Sequence, residues 1–130
     1  MSSYLITGAA RGLGLEISTL LASKPSSEVS LVIATARRES PALRTLAQES
    51  HGRVVIISAE LTDENMIQEA ADKVRCIVGD KGLDVLINNA GIMNRTPGGI
   101  ERMYVYLPFV LGSLYILINC RDSKLTASIG

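Results

Sequence analysis

The chain has 130 residues, 47% of them hydrophobic and 20% charged, with 13 basic and 13 acidic side chains. That suffices for one small domain, burying roughly two-thirds of its unfolded surface on folding. The balance excludes a disordered polar chain and a basic nucleic-acid-binding surface. The two cysteines, Cys76 and Cys120, stand apart and suggest neither a disulfide framework nor a zinc-ligand set.

The opening MSSYLI has no charged start and no long apolar core, so a secretory leader is not expected and a cytoplasmic, reducing setting is. Tyr4–Thr7 is a short apolar strand. The glycine-rich turn TGAARGLG follows, then Leu13, Ile17, Leu20 and Leu21 at helical spacing. KPSSE ends that helix, and the β-branched run Val29–Ala36 suits a strand buried on both faces. Ser40-Pro41 supplies a capping hydroxyl and a proline for the first helical position, and Leu43 and Leu46 carry the apolar stripe until His51-Gly52. Arg53–Ala59 is a third strand. Thr62-Asp63-Glu64 then caps a helix with Met66, Ile67, Ala70, Ala71, Val74, Ile77 and Val78 on one face. Gly79–Gly82 closes it before a fourth strand, Leu83–Asn88. Strands alternating with helices in this order predict an α/β domain, a doubly wound parallel sheet of Rossmann-like layout, truncated after about four strands so that the fourth is an open apolar edge unless the tail docks on it.

In such sheets ligands bind beyond the carboxyl ends of the strands, where the strand order reverses. The turn Thr7–Gly14 falls there. Gly8 suits the tight turn, Gly12 a close backbone approach to a pyrophosphate, and Gly14 close packing of helix on strand. The amides and positive end of the following helix face the anion. A phosphate-binding P-loop is excluded, since Leu13 follows Gly12 and no Lys-Ser/Thr pair is present. A plain connecting turn is the alternative at this point.

Dinucleotide folds that prefer NAD carry an acid about 20 residues past the glycines. Here Ala36 stands in that place, followed by Arg37 and Arg38. A carboxylate would repel a 2′-phosphate, whereas a guanidinium grips it in bidentate fashion. The pair points to NADP over NAD; a solvated loop is the alternative.

LINNAGI, Leu86–Ile92, ends the fourth strand. With Thr7–Gly14 matching T-G-x3-G-x-G and Asn88–Gly91 matching N-N-A-G, the sequence resembles the short-chain dehydrogenase/reductase family. SAELTD resembles the family's adenine-contact segment, with Glu60 in place of the usual Asp. IATAR and NAGIMNRTPGG look most like the sniffer-like or C-factor-like carbonyl-reductase branch. The resemblance runs from Tyr4 to Met103. It implies an oxidoreductase that takes NADPH to a small carbonyl substrate. It implies that Gly8, Arg11, Gly12, Leu13 and Gly14 hold the pyrophosphate and ribose, and Arg37 the 2′-phosphate. Glu60 and Leu61 then lie by the adenine, and Asn89, Ala90 and Gly91 by the ribose and nicotinamide.

Family members donate a proton from a Tyr whose pKa is lowered by a Lys four residues later, and a Ser orients the substrate oxygen. Here Gly8, Pro108, Val110 and Asn119 stand four residues after Tyr4, Tyr104, Tyr106 and Tyr115. Ser123, after the strand-like LYILINCRDS, is a poor counterpart of the family's serine. No catalytic residue is therefore assigned, and no metal site. The division drawn is 1–103, the NADP-binding part, and 104–130, a divergent tail. Four of the five aromatics but only three charges fall in that tail.

Three readings of the tail stand. Met103–Cys120 is 18 residues without a charge, at the lower limit for a membrane helix, but Pro108, Gly112, Ser113 and Asn119 interrupt it. A helix and strand replacing the family's next units is the second. The third is translated intron, because Met-Tyr-Val can be encoded with GTATGT, a common fungal intron start. Neither a membrane nor a nucleic-acid partner is expected. The functional readings are a carbonyl reductase represented by its coenzyme-binding part, a non-catalytic NADP(H)-binding module, and a non-functional truncated product.

Overall fold

A computed structural model describes residues 2–60, 63–90 and 125–128. In chain order these form β1 (Ser2–Thr7), α1 (Gly12–Ser23), β2 (Val29–Ala36), α2 (Pro41–Glu49), β3 (Val54–Ser58), α3 (Glu64–Val78), a 3-10 turn (Gly79–Lys81), β4 (Val85–Asn88) and β5 (Leu125–Ser128). The strands make one sheet in the order β3-β2-β1-β4-β5, with every neighbouring pair parallel. The expected α/β fold is the one found.

Alternation along the strands divides the core between two faces. Leu5, Ile33, Ile57 and Leu86 point to α3 and meet Ile67, Ala70, Ala71 and Val74. Ile6, Val32, Ala34 and Ile87 point the other way, to Leu43 of α2 and the half-buried Ile17 and Leu21 of α1. Leu5, Ile6, Ile33 and Leu43 are wholly enclosed, and such a side chain contributes about 1.5–3 kcal/mol relative to exposure. Two helices on one face and one on the other make the sheet doubly wound.

The helix ends follow the capping signals. Ser40 Oγ accepts the Leu43 amide at 3.1 Å. Asp63 accepts those of Asn65 and Met66 at 2.9 and 3.3 Å. His51 and Gly52 end α2 with positive φ. The far end of α1 is held by Arg53, whose guanidinium donates to the carbonyls of Ala22, Lys24 and Val29. This places a cation where the helix dipole is negative. Ser3 and Asp84 fix the start of β1 against β4, the Asp84 carboxylate accepting the Ser3 amide at 2.8 Å.

Two expectations need correction. The face of α1 is not the stripe through Leu13 and Leu20, which are 53% and 59% exposed. Gly14 and Ser18 face inward beside Ile17 and Leu21. Small side chains bring the helix close to the sheet, and the buried Ser18 hydroxyl is satisfied by donating to the Gly14 carbonyl at 2.8 Å. Second, β4 is not left as an open edge: Leu125–Ser128 pairs with Val85–Asn88 along its length. The strand-like stretch Leu114–Ser123 and the apolar stretch Met103–Cys120 lie outside the described residues.

Candidate functional site

β1 stands between β2, reached through α1, and β4, reached through α3 on the opposite face. The strand order reverses there, and the carboxyl ends of β1 and β4 flank a crevice. Gly8 leaves β1 at φ +69°, and a Cβ on it would lie 2.9 Å from Ala90 Cα. A Cβ on Gly14 would lie 2.3 Å from the Gly8 carbonyl oxygen and 2.5 Å from Asn89 Nδ2. Gly14 therefore packs on the turn and on Asn89, a closer approach than the helix-on-strand contact expected of it. Gly12 differs from both. Its φ is +60°, and among the described residues a Cβ there would meet nothing within 4 Å. Two glycines close the turn on the protein, and Gly12 faces open space.

Thr7 and Asn89 hold the crevice walls together. The fully buried Thr7 hydroxyl accepts the amides of Asn89 and Ala90 at 3.1 and 3.0 Å. Asn89 Nδ2 donates back to the carbonyls of Thr7 and Gly8, both at 3.2 Å. The donors of the Asn89 side chain are thus engaged by the glycine turn. Ala90 packs against the core on the α3 side. The neighbouring Asn88 Oδ1 is buried without a hydrogen-bond partner.

Arg11 occupies the N-cap of α1 in an extended conformation, supplies no side-chain cap, and no acid follows in the first turn. Neither the N-cap side chain nor an acid of the first turn thus accepts the leading amides of α1, which leaves the positive end of the helix for an anion. Leu13 lies exposed in that turn. The Ala9 amide ties the turn to β2 by donating to the Thr35 carbonyl at 3.0 Å.

Arg37 follows β2 directly, with its side chain 74% exposed, and its Nε is 3.7 Å from Glu60 Oε2. The structure so joins two expected coenzyme contacts. An exposed pair of this kind contributes about 0.2–1 kcal/mol, less than a charge-assisted hydrogen bond to phosphate at about 1.5–3 kcal/mol. Glu60 therefore does not lock Arg37 against a phosphate. Arg38 beside it is also exposed. Ser40, foreseen as a helix cap, also donates its hydroxyl to the Ala10 carbonyl in the glycine turn. That link and the Thr7 clamp were not read from the sequence; each joins residues far apart in the chain, and no local pattern signals them. Leu61, Gly91 and Ser123 lie outside the described residues. Among the described residues no cluster of His, Cys, Asp and Glu could hold a metal ion, and no helix is long and apolar enough to cross a membrane.

Residues 3–103 match the sequence profile of the short chain dehydrogenase family. A short-chain dehydrogenase/reductase of Aspergillus aculeatus is 40% identical over 112 residues, covering 78% of this chain and 41% of the relative. Among solved structures, the NADPH-bound carbonyl reductase from chicken fatty liver superposes with a TM-score of 0.72 at 31% identity, over 91% of this chain and 51% of that one. The carbonyl reductase Sniffer of D. melanogaster gives 0.72 at 26% identity, over 91% and 52%. The chain spans about half the length of these structures and less than half that of the curated relative.

Proposed function

The chain belongs to the short chain dehydrogenase family, and on that footing we propose that it is the coenzyme-binding part of an NADPH-dependent carbonyl reductase. The observation that carries this reading is the open face at Gly12 beside the uncapped end of α1. A backbone without a Cβ, next to helix amides that the N-cap side chain does not cap, fits a pyrophosphate. Arg37 and Arg38, exposed at the end of β2 where an NAD-preferring fold carries an acid, fit a 2′-phosphate. The carbonyl reductase neighbour solved with NADPH supports the same coenzyme. Bound there, the nicotinamide supplies a hydride for a small carbonyl substrate. The chain's own part is to hold and orient the coenzyme: Gly12 and the α1 amides at the pyrophosphate, Arg37 at the 2′-phosphate, Ala90 at the crevice wall. The division at Met103 belongs to this proposal and is supported by the end of the family match at residue 103. A cytoplasmic setting, where thiols stay reduced, suits it.

A second reading, a module that binds NADP(H) without turnover, is favoured by one observation: no tyrosine of the 130 residues has a lysine four positions later. Titration of the purified chain by coenzyme fluorescence tests the shared premise. NADPH binds about 10- to 150-fold more tightly than NADH, the span of one charge-assisted phosphate contact, and Arg37→Asp erases or reverses the preference. Equal affinities refute the assignment. Robust NADPH oxidation with simple aldehydes or ketones refutes the non-catalytic reading of this chain.

A further inference from the structure

Ser40 connects the two segments that face the coenzyme's phosphates. Its hydroxyl accepts the Leu43 amide, which caps α2, and donates to the carbonyl of Ala10, 30 residues earlier in the chain. Ala10 precedes Arg11 and Gly12 at the pyrophosphate end. Ser40 follows Arg37, Arg38 and Glu39 at the 2′-phosphate end. We infer that Ser40 is a positioning residue: its link to Ala10 sets the span between the glycine turn and Arg37, and so sets the preference for the 2′-phosphorylated coenzyme. The inference rests on the coenzyme reading above.

The loop has only a few fixed points. At its start, the Ala36 carbonyl accepts the Ala59 amide at 3.0 Å. At its finish, Ser40 is tied to Ala10 and to α2. Between them Arg37, Arg38 and Glu39 are exposed. Glu39 is drawn outward to Arg44, its Oε2 3.2 Å from Arg44 Nε. The Arg37–Glu60 pair is too exposed to hold the arginine in one place. Releasing Ser40 from Ala10 lets the loop move relative to the turn, and Arg37 must then be ordered at the moment of binding. NADH carries a hydroxyl where NADPH carries the phosphate, so the loss falls on NADPH. A residue that only stabilised the fold would weaken both coenzymes alike.

Ser40→Gly removes the donor while keeping a good helix cap, glycine costing only a few tenths of a kcal/mol there. In fluorescence titrations of the 130-residue chain, this variant lowers NADPH affinity about 3- to 10-fold, the range of one net hydrogen bond. NADH affinity changes less than about twofold. Ser40→Thr, which can both donate and accept, restores the preference. Should Ser40→Gly loosen the chain, seen as a lost melting transition, Ser40→Ala without the added backbone freedom gives the same change in ratio. A preference in the unmodified chain that Ser40→Gly leaves intact, or an equal fall for both coenzymes, overturns the inference alone. Equal binding of the two coenzymes by the unmodified chain overturns the coenzyme reading, and the inference with it.

Discussion

Replacing Gly14 with alanine sets helix propensity against packing. Within a helix alanine is favoured over glycine by about 1 kcal/mol, so propensity alone predicts a more stable protein. The structure predicts the reverse. The new methyl would lie 2.3 Å from the Gly8 carbonyl oxygen, 2.9 Å from its carbon and 2.5 Å from Asn89 Nδ2. Two of those atoms are backbone and cannot swing aside. If Asn89 moves, its bonds to the Thr7 and Gly8 carbonyls go, at about 1–3 kcal/mol for the two. Overpacking costs about 1–3 kcal/mol more. Set against the propensity gain, the net loss is about 1–5 kcal/mol. With an unfolding entropy near 2.1 cal/mol/K per residue, that lowers the melting temperature by roughly 4–18 °C. Circular dichroism melts and urea titrations of the coenzyme-free chain measure it. A Gly14→Ala protein as stable as the unmodified chain, or more so, refutes the packing argument.

Gly12→Ala separates binding from stability at the neighbouring position. The left-handed backbone costs roughly 1–2 kcal/mol, and the methyl meets no atom of the described residues, so melting falls by no more than about 4–7 °C while NADPH affinity falls about 10- to 100-fold; titration beside a melt reads both. Arg53→Met removes three hydrogen bonds from carbonyls at the end of α1 and the start of β2 and lowers stability by about 1–3 kcal/mol in urea unfolding. Deleting residues 104–130 takes away the strand that pairs with Val85–Asn88 and leaves a parallel edge of apolar residues, so sizing chromatography shows more self-association than for the full chain.

The parts of the fold read from sequence are those whose cause is local. Val29–Ala36 is a strand with the bounds expected of it, because a β-branched run between breakers permits little else. Pro41 opens α2 and Asp63 caps α3 for equally local reasons. On α1, periodicity counts large apolar residues and finds Ile17 and Leu21, which pack on the core, but also Leu13 and Leu20, which are exposed, and it passes over Gly14 and Ser18, which face inward. At the site, the glycines and Arg37 stood out as residue types. What joins them did not: Arg37 reaches Glu60, Ser40 reaches Ala10 and Asn89 reaches Gly8 only once distant segments are packed together. Leu125–Ser128 carries too short a pattern to announce a strand without the partner that pairs with it.

The clamp between Thr7 and Asn89 bears on the order in which the protein folds. It joins residues 82 apart in sequence, whereas β1 meets β2 after a single helical crossover. Closing the longer loop costs more chain entropy, and contacts of that separation form late. The β1–β2–β3 half can assemble while β4 is still searching, yet it lacks one wall of the crevice. A coenzyme that binds only the closed crevice adds nothing to that partial sheet and stabilises the finished one by mass action. Coenzyme present during refolding should therefore slow unfolding and leave the early folding rate unchanged.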